Sequence, residues 1–193
     1  MAYEIELKAW VDDVKQTEAR LNKIARFLFS FQKEDVYWYC ENKNAFPSGV
    51  RLRNEKQILP EDSVKNRLLI TYKTKETRDG VEVNEEKEFR VADGPENFEE
   101  FMERSGFAPG FSKKKTGKSW CYDCKDFCGG VTAELTEIDG LGWFLEMEIL
   151  SEDGSQKTVD LARAILIQLL DDCGVPPEKI ESRYYSEMLV NKP

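Results

Sequence analysis

Charged and apolar residues alternate in Glu4-Ile-Glu6-Leu-Lys8, in Arg51-Leu-Arg53 and in Glu146-Met-Glu148. Successive side chains of a strand point to opposite faces, so each stretch sets its charges on one side and Ile5, Leu7, Leu52 and Met147 on the other. The apolar side reads as core. The carboxylates and cations opposite are denser than on a plain solvated face, which suits a site for metal ions and a polyanion.

The same patterning lays out the rest of the chain. Residues 2–9 read as a strand, after which Asp12 or Asp13 can cap a helix with the stripe Val14, Leu21, Ile24, Ala25 and Leu28. The aromatic run Val36-Tyr-Trp-Tyr39 and a turn over 42–49 come next. Strands are expected near 49–54, 66–75 and 82–91, the last two joined by the polar segment 76–80 with its Asp79-Gly80 pair. Pro95 suits a first helical turn, and Phe98, Phe101 and Met102 form a short stripe that Gly106 ends. Further strands are expected over 111–122, 127–138 and 143–150. A helix over 157–173 carries Val159, Ala162, Ile165, Leu166, Leu169 and Leu170 on one side, Gly174-Val-Pro-Pro177 stops it, and a short helical tail covers 178–191.

About eight strands with mostly short connections predict an α+β fold, an eight-stranded antiparallel closed β-barrel flanked by helices, as a single domain over 1–193. If Ile5, Leu7, Leu52, Tyr72, Phe89, Leu145 and Met147 pack outward under helices, the interior is the polar face. That face gathers Glu4, Glu6 and Lys8, then Arg51 and Arg53, then Thr71, Lys73 and Lys75. It continues with Asn84, Glu86, Glu88 and Arg90, then Glu134 and Thr136, then Glu146 and Glu148. Carboxylates so crowded raise one another's pKa, and bound cations remove the conflict. Oxygen donors without His or Cys point to Mg²⁺ or Mn²⁺, with phosphate oxygens completing the shell.

Composition narrows the chemistry. The 193 residues, 40% apolar and 34% charged, describe a soluble globular protein. With no histidine, every His-containing triad and the commonest zinc ligand are excluded. A formal charge of −9 disfavours nonspecific binding to nucleic acid. The sequence has no long apolar run and no signal-peptide pattern, so a cytoplasmic protein without a membrane span is expected. A Walker-type phosphate loop is absent. Cys121, Cys124 and Cys128 offer three ligands where structural zinc takes four, and the turn between two strands accounts for their spacing as well.

The Glu4-x-Glu6-x-Lys8 opening resembles the ExExK signature of the CYTH superfamily, the triphosphate tunnel metalloenzymes. Arg51-Leu-Arg53, Thr71-Tyr-Lys73, Glu86-x-Glu88, the segment Leu141-Gly-Trp-Phe-Leu-Glu146-x-Glu148 and Tyr185-Ser-Glu-Met-Leu189 follow in family order. The resemblance implies a barrel that binds a triphosphate along its axis. It implies substrate-binding roles for Lys8, Arg51, Arg53 and Lys73, and catalytic roles for Glu4, Glu6 and Lys8. It implies metal ligation by Glu4, Glu6, Glu146 and Glu148, with Glu86 and Glu88 holding a second ion or orienting the basic groups. Two positions depart from the pattern. Gly117 stands where an arginine is expected, leaving Lys115 or Lys118 to substitute, and Thr136 stands where an acid is expected, leaving Glu134 on the same face to replace it.

The resemblance to class IV adenylyl cyclases implies conversion of ATP to cyclic AMP and pyrophosphate. The alternatives are a triphosphatase acting on tripolyphosphate or thiamine triphosphate, and a noncatalytic polyphosphate- or nucleotide-binding module. Trp38, Phe46 and Trp143 are candidates for contact with a base, against the simpler reading as outer packing. The outer helices could also support a homodimer.

Overall fold

A computed structural model describes residues 3–41, 49–92 and 94–190, without the side chains of Lys75 and Val190. Its strands are β1 (Tyr3–Trp10), β2 (Arg26–Cys40), β3 (Val50–Ile58), β4 (Val64–Arg78), β5 (Val81–Arg90), β6 (Phe107–Tyr122), β7 (Val131–Ile138) and β8 (Gly142–Ser151). All pair antiparallel, in the closed order β1-β5-β4-β3-β2-β6-β7-β8. The expected eight-stranded barrel is therefore the observed fold. Its helices are α1 (Val14–Ile24), α2 (Pro95–Arg104), α3 (Gln156–Asp172) and the short α4 (Tyr185–Val190). Among the described residues, no helix is long and apolar enough to cross a membrane.

The apolar face of the wall points outward, as the alternation requires. Ile5, Leu7, Val83, Leu145 and Met147 join Leu21 of α1 and Leu166, Leu169 and Leu170 of α3 in the main core. A second cluster sets Met102 and Phe98 of α2 over Trp38, Leu52 and Ile70. A third places Tyr185 and Met188 of α4 against Ile138 and Phe144. That contact, together with the Glu181 amide bonded to the Lys8 carbonyl at 2.9 Å, lays the C-terminal segment across the barrel end where β1 finishes.

Several boundaries differ from the sequence reading. The first helix ends at Ile24 rather than running to Leu28, because Ala25 is extended and the aromatic-rich 26–40 forms one long strand. Strands β4 and β5 take up most of the expected 76–80 connection, leaving Asp79-Gly80 as a tight turn with φ of 50° and 84°. Residues 127–130 belong to the loop before β7, with Phe127 buried there. Phe89 and Phe101, expected to pack, are 57% and 64% exposed. The tail is a 3₁₀ turn (Pro177–Lys179) and α4 rather than one helix. The turn over 42–48, Phe46 and the Lys75 side chain lie outside the described residues.

Candidate functional site

The polar faces of all eight strands line a cavity of about 570 Å³. Alternation from Glu4-Ile-Glu6-Leu-Lys8 places Glu4, Glu6 and Lys8 on its wall. The same parity brings in Arg51, Arg53, Lys73, Glu86, Glu88, Lys115, Glu134, Glu146 and Glu148. Lys118 is not among them. It pairs with Leu135 on the outward face of the wall, and its Nζ meets Glu18 of α1 at 2.5 Å. Of the two lysines expected near Gly117, only Lys115 faces the cavity.

Inside, nearly every charge has a partner of opposite sign. Lys73 contacts Glu4 and reaches Glu86 at 3.5 Å, and Lys8 donates to Glu82 at 2.8 Å. Lys33 grips both oxygens of Glu134 at 2.6 and 2.8 Å, and Lys115 bonds Glu146 at 2.5 Å. Burial alone would raise Glu146, but Lys115 and Lys113 hold it far below the usual carboxylate range. Lys33 and Lys115 likewise outweigh burial at Glu134 and lower it. Arg51 donates to Thr71 Oγ1 at 2.8 Å and faces Glu86 and Glu88 at 3.5 and 3.7 Å, while its Nε is buried with no hydrogen-bond partner among the described residues.

One acidic group breaks this balance. Carboxylate oxygens of Glu4, Glu6 and Glu148 lie within 4.8 Å of one another. Burial, then Glu4, Glu134 and Glu6, push Glu148 well above its usual value. Three crowded, partly desolvated oxygen donors fit a hard divalent cation, which relieves the repulsion. Glu4 also contacts Lys73, and the other four expected metal ligands, Glu86, Glu88, Glu134 and Glu146, each face a lysine or arginine without joining this group. Among the described residues, Cys121, Cys124 and Cys128 do not converge on a metal-sized group.

The two departures from the family pattern have structural explanations. A side chain at Gly117 would run into the Leu135 carbonyl, Thr136 Cα and the Phe31 ring. Phe31 therefore occupies the space an arginine would need. Thr136 is fully buried, and its hydroxyl donates to the Thr116 carbonyl at 3.3 Å.

Sequence reasoning missed a whole wall. β2 contributes Lys33, Asp35 and Tyr37 to the barrel interior, and β3 adds Glu55 and Gln57 beyond Arg53. Burial would raise the Tyr37 phenol, yet Lys113 and Arg51 bring it down to about 8. Lys113 sits 4.8 Å from the Tyr185 ring centroid and 5.8 Å from that of Tyr37. Glu82 shares the parity of Glu86 and Glu88 and could have been read from it. The proposed base contacts fall elsewhere: Trp38 is a core residue at 2% exposure, and Trp143 packs against the outer core.

Comparison with known proteins agrees with this architecture. PH1819 of Pyrococcus horikoshii is 26% identical, with a TM-score of 0.78 over 98% of this chain and 99% of its own. A protein provisionally described as an adenylate cyclase of Vibrio parahaemolyticus has 19% identity and a TM-score of 0.75, over 97% and 98% of the two chains. HpAC1 of Hippeastrum, a provisional adenylyl cyclase with a dominant triphosphatase activity, has 14% identity and a TM-score of 0.62, covering 98% and 95%. At those identities the last two show the shared fold. No curated protein matches the chain in sequence. The CYTH domain profile matches residues 2–185, nearly the whole chain, which accordingly belongs to the CYTH domain family, the triphosphate tunnel proteins that work with divalent metals.

Proposed function

We propose that the chain is a divalent-metal-dependent enzyme acting on a triphosphate bound along the tunnel, with ATP converted to cyclic AMP and pyrophosphate as its reaction. The observation that carries the triphosphate reading is the pairing of a crowded, partly buried acidic triad with a wall of cations that includes an unpartnered Arg51 Nε. Arg51 and Arg53 present planar forks suited to phosphate oxygens, and Lys8, Lys73, Lys113 and Lys115 add point charges around the same cavity. Glu4, Glu6 and Glu148 would hold Mg²⁺ or Mn²⁺, which supplies Lewis-acid neutralisation of phosphate charge.

The chain's own contribution is positioning and charge compensation at the phosphorus under attack. In the cyclase reaction the ribose 3′-oxygen bonds the α-phosphorus, the bond from that phosphorus to the α–β bridging oxygen breaks, and pyrophosphate leaves. The hydroxyl proton passes to a carboxylate of the wall. Hydrolysis of the terminal phosphate is the second reading, favoured by the cations on all sides of the cavity, which suit a chain of phosphates whatever it is attached to.

Incubation of the protein with Mg²⁺ or Mn²⁺ and ATP, tripolyphosphate or thiamine triphosphate, followed by product analysis, tests the proposal. Cyclic AMP with pyrophosphate is the expected outcome. Orthophosphate alone would establish the hydrolase instead, and binding without turnover would leave a noncatalytic module.

A further inference from the structure

The barrel end that carries α4 also carries three aromatic rings that the charge pairing does not use. Tyr37, Tyr39 and Phe111 line the cavity beside Arg51 and Lys113. Tyr37 and Phe111 pack at 5.5 Å between centroids with a tilt of 44°. Tyr39 is 37% exposed, so its ring is not part of the core.

The backbone is shaped around these rings. Along β2 and β6, Val36 faces Ser112 while Trp38 faces Pro109, so β6 carries one more residue than β2 in this interval. The bulge sets Gly110 and Phe111 opposite Tyr37 and aims Phe111 inward. Tyr39 is flanked by a glycine on either side. A Cβ on Gly49 would lie 2.8 Å from its Cε1, and a Cβ on Gly110 would lie 2.8 Å from its Cδ2. Opposite edges of the ring thus rest over two positions that have no side chain. A side chain at either glycine would lift it.

We propose that Tyr37, Tyr39 and Phe111 form a subsite for the base of a nucleoside triphosphate, which makes that class, rather than inorganic tripolyphosphate, the preferred substrate. The inference rests on the triphosphate-tunnel reading and deepens it. Inorganic tripolyphosphate has no group that could use aromatic faces, whereas every nucleobase offers a planar surface for stacking. The rings adjoin Arg51 and Lys113, so a base lying on them leaves its phosphates among the tunnel cations. Because stacking tolerates any base, the subsite selects for the presence of a base more than for its identity.

Titration calorimetry without divalent cation, which prevents turnover, compares ATP, GTP, CTP and tripolyphosphate. Tyr39→Ala is expected to weaken ATP by about tenfold while changing tripolyphosphate by less than about twofold. Phe111→Ala should repeat the pattern, and Gly110→Val should produce it without removing any ring. The wild type should bind the three nucleotides within about tenfold of one another. Equal weakening of ATP and tripolyphosphate, or no weakening of ATP, overturns the subsite while leaving the tunnel reading intact. Failure of the wild type to bind any of the four ligands removes the tunnel reading, and this subsite with it. Tripolyphosphate binding by each variant shows that it has folded.

Discussion

Arg53 and Asp35, directly opposed on β3 and β2, meet through two parallel hydrogen bonds, Nε to Oδ1 at 2.7 Å and Nη2 to Oδ2 at 2.9 Å. Asp35 is 1% exposed, and burial by itself would raise its pKa. The Arg53 charge and hydrogen bond, aided by Lys113 and Arg51, hold it well below the ordinary value of 3.8 instead. The pair fixes the guanidinium plane before any ligand arrives.

Asp35→Ala leaves Arg53 buried without its counter-charge, which costs about 3–5 kcal/mol. Because the native pKa of Asp35 is depressed, its stabilisation is present above the ordinary value and is lost as pH falls below that value toward the native one. The acid side of the stability profile should therefore flatten in the variant. Added tripolyphosphate should recover part of the loss by binding the folded state. Urea unfolding across pH, with and without tripolyphosphate, measures both effects. An unchanged acid limb would show that the pair does not contribute.

Glu148 titrates in the opposite sense. Its native pKa is raised above the unfolded one, so its own contribution to the stability of the metal-free fold is fully present below the ordinary carboxylate value of 4.5 and is lost as pH rises through the raised native value. Mg²⁺ or Mn²⁺ should oppose that loss near neutral pH. Glu148→Gln should raise metal-free stability by about 1 kcal/mol, roughly 2–4 °C in Tm for a chain of this size, and abolish the stabilisation by metal. Thermal melts with and without cation read out the result. A metal-induced shift that survives in both Glu148→Gln and Glu6→Gln would place the ion elsewhere.

Lys115 and Lys118 are three residues apart and on opposite faces of β6, so their substitutions should separate cleanly. Lys115→Ala removes a cation from beside Glu146 and Glu134 and should weaken tripolyphosphate by about tenfold or more. Lys118→Ala breaks only a part-exposed contact with Glu18, which costs about 0–1 kcal/mol of stability and leaves ligand affinity within about twofold. Calorimetric titration of both variants with tripolyphosphate distinguishes them. Equal losses would mean that Lys118 reaches the ligand.

Alternation made the closed barrel and its inverted polarity legible, because β1, β3 and β8 each mark their two faces within five residues. It failed at β2 for a physical reason. Phe27, Phe29 and Phe31 alternate with Leu28 and Ser30 in a run too apolar to mark a polar face, and a helical stripe absorbs Leu28 as readily as a strand does. Lys33, Asp35 and Tyr37 were therefore hidden behind a misplaced helix end. Parity also misleads where the interior is not uniformly polar. Phe31 and Gly117 face each other across β2 and β6, and neither residue by itself shows that the ring has taken the arginine's space. The grouping of Glu4 and Glu6 with Glu148, rather than with Glu146, depends on which lysines reach which acids. Spacing along a strand does not contain that information.

The Phe31 and Gly117 relationship gives a final prediction. Restoring the arginine that the family pattern expects, as Gly117→Arg, should not create a working phosphate contact. Its Cβ would collide with the Leu135 carbonyl and Thr136 Cα, which belong to the backbone of β7 and cannot turn aside as a side chain can. Overpacking of this kind costs about 1–3 kcal/mol. Phe31→Ala in the same chain removes the ring's share of the collision and should recover only part of the stability, since the β7 backbone stays in place. The double variant should bind tripolyphosphate more tightly than Gly117→Arg alone, because the guanidinium then has an empty volume to enter. Denaturant melts and calorimetry on the two variants check both halves. Full stability in Gly117→Arg would show that β6 and β7 can separate there and that the Phe31 ring can move aside, so that neither excludes the arginine.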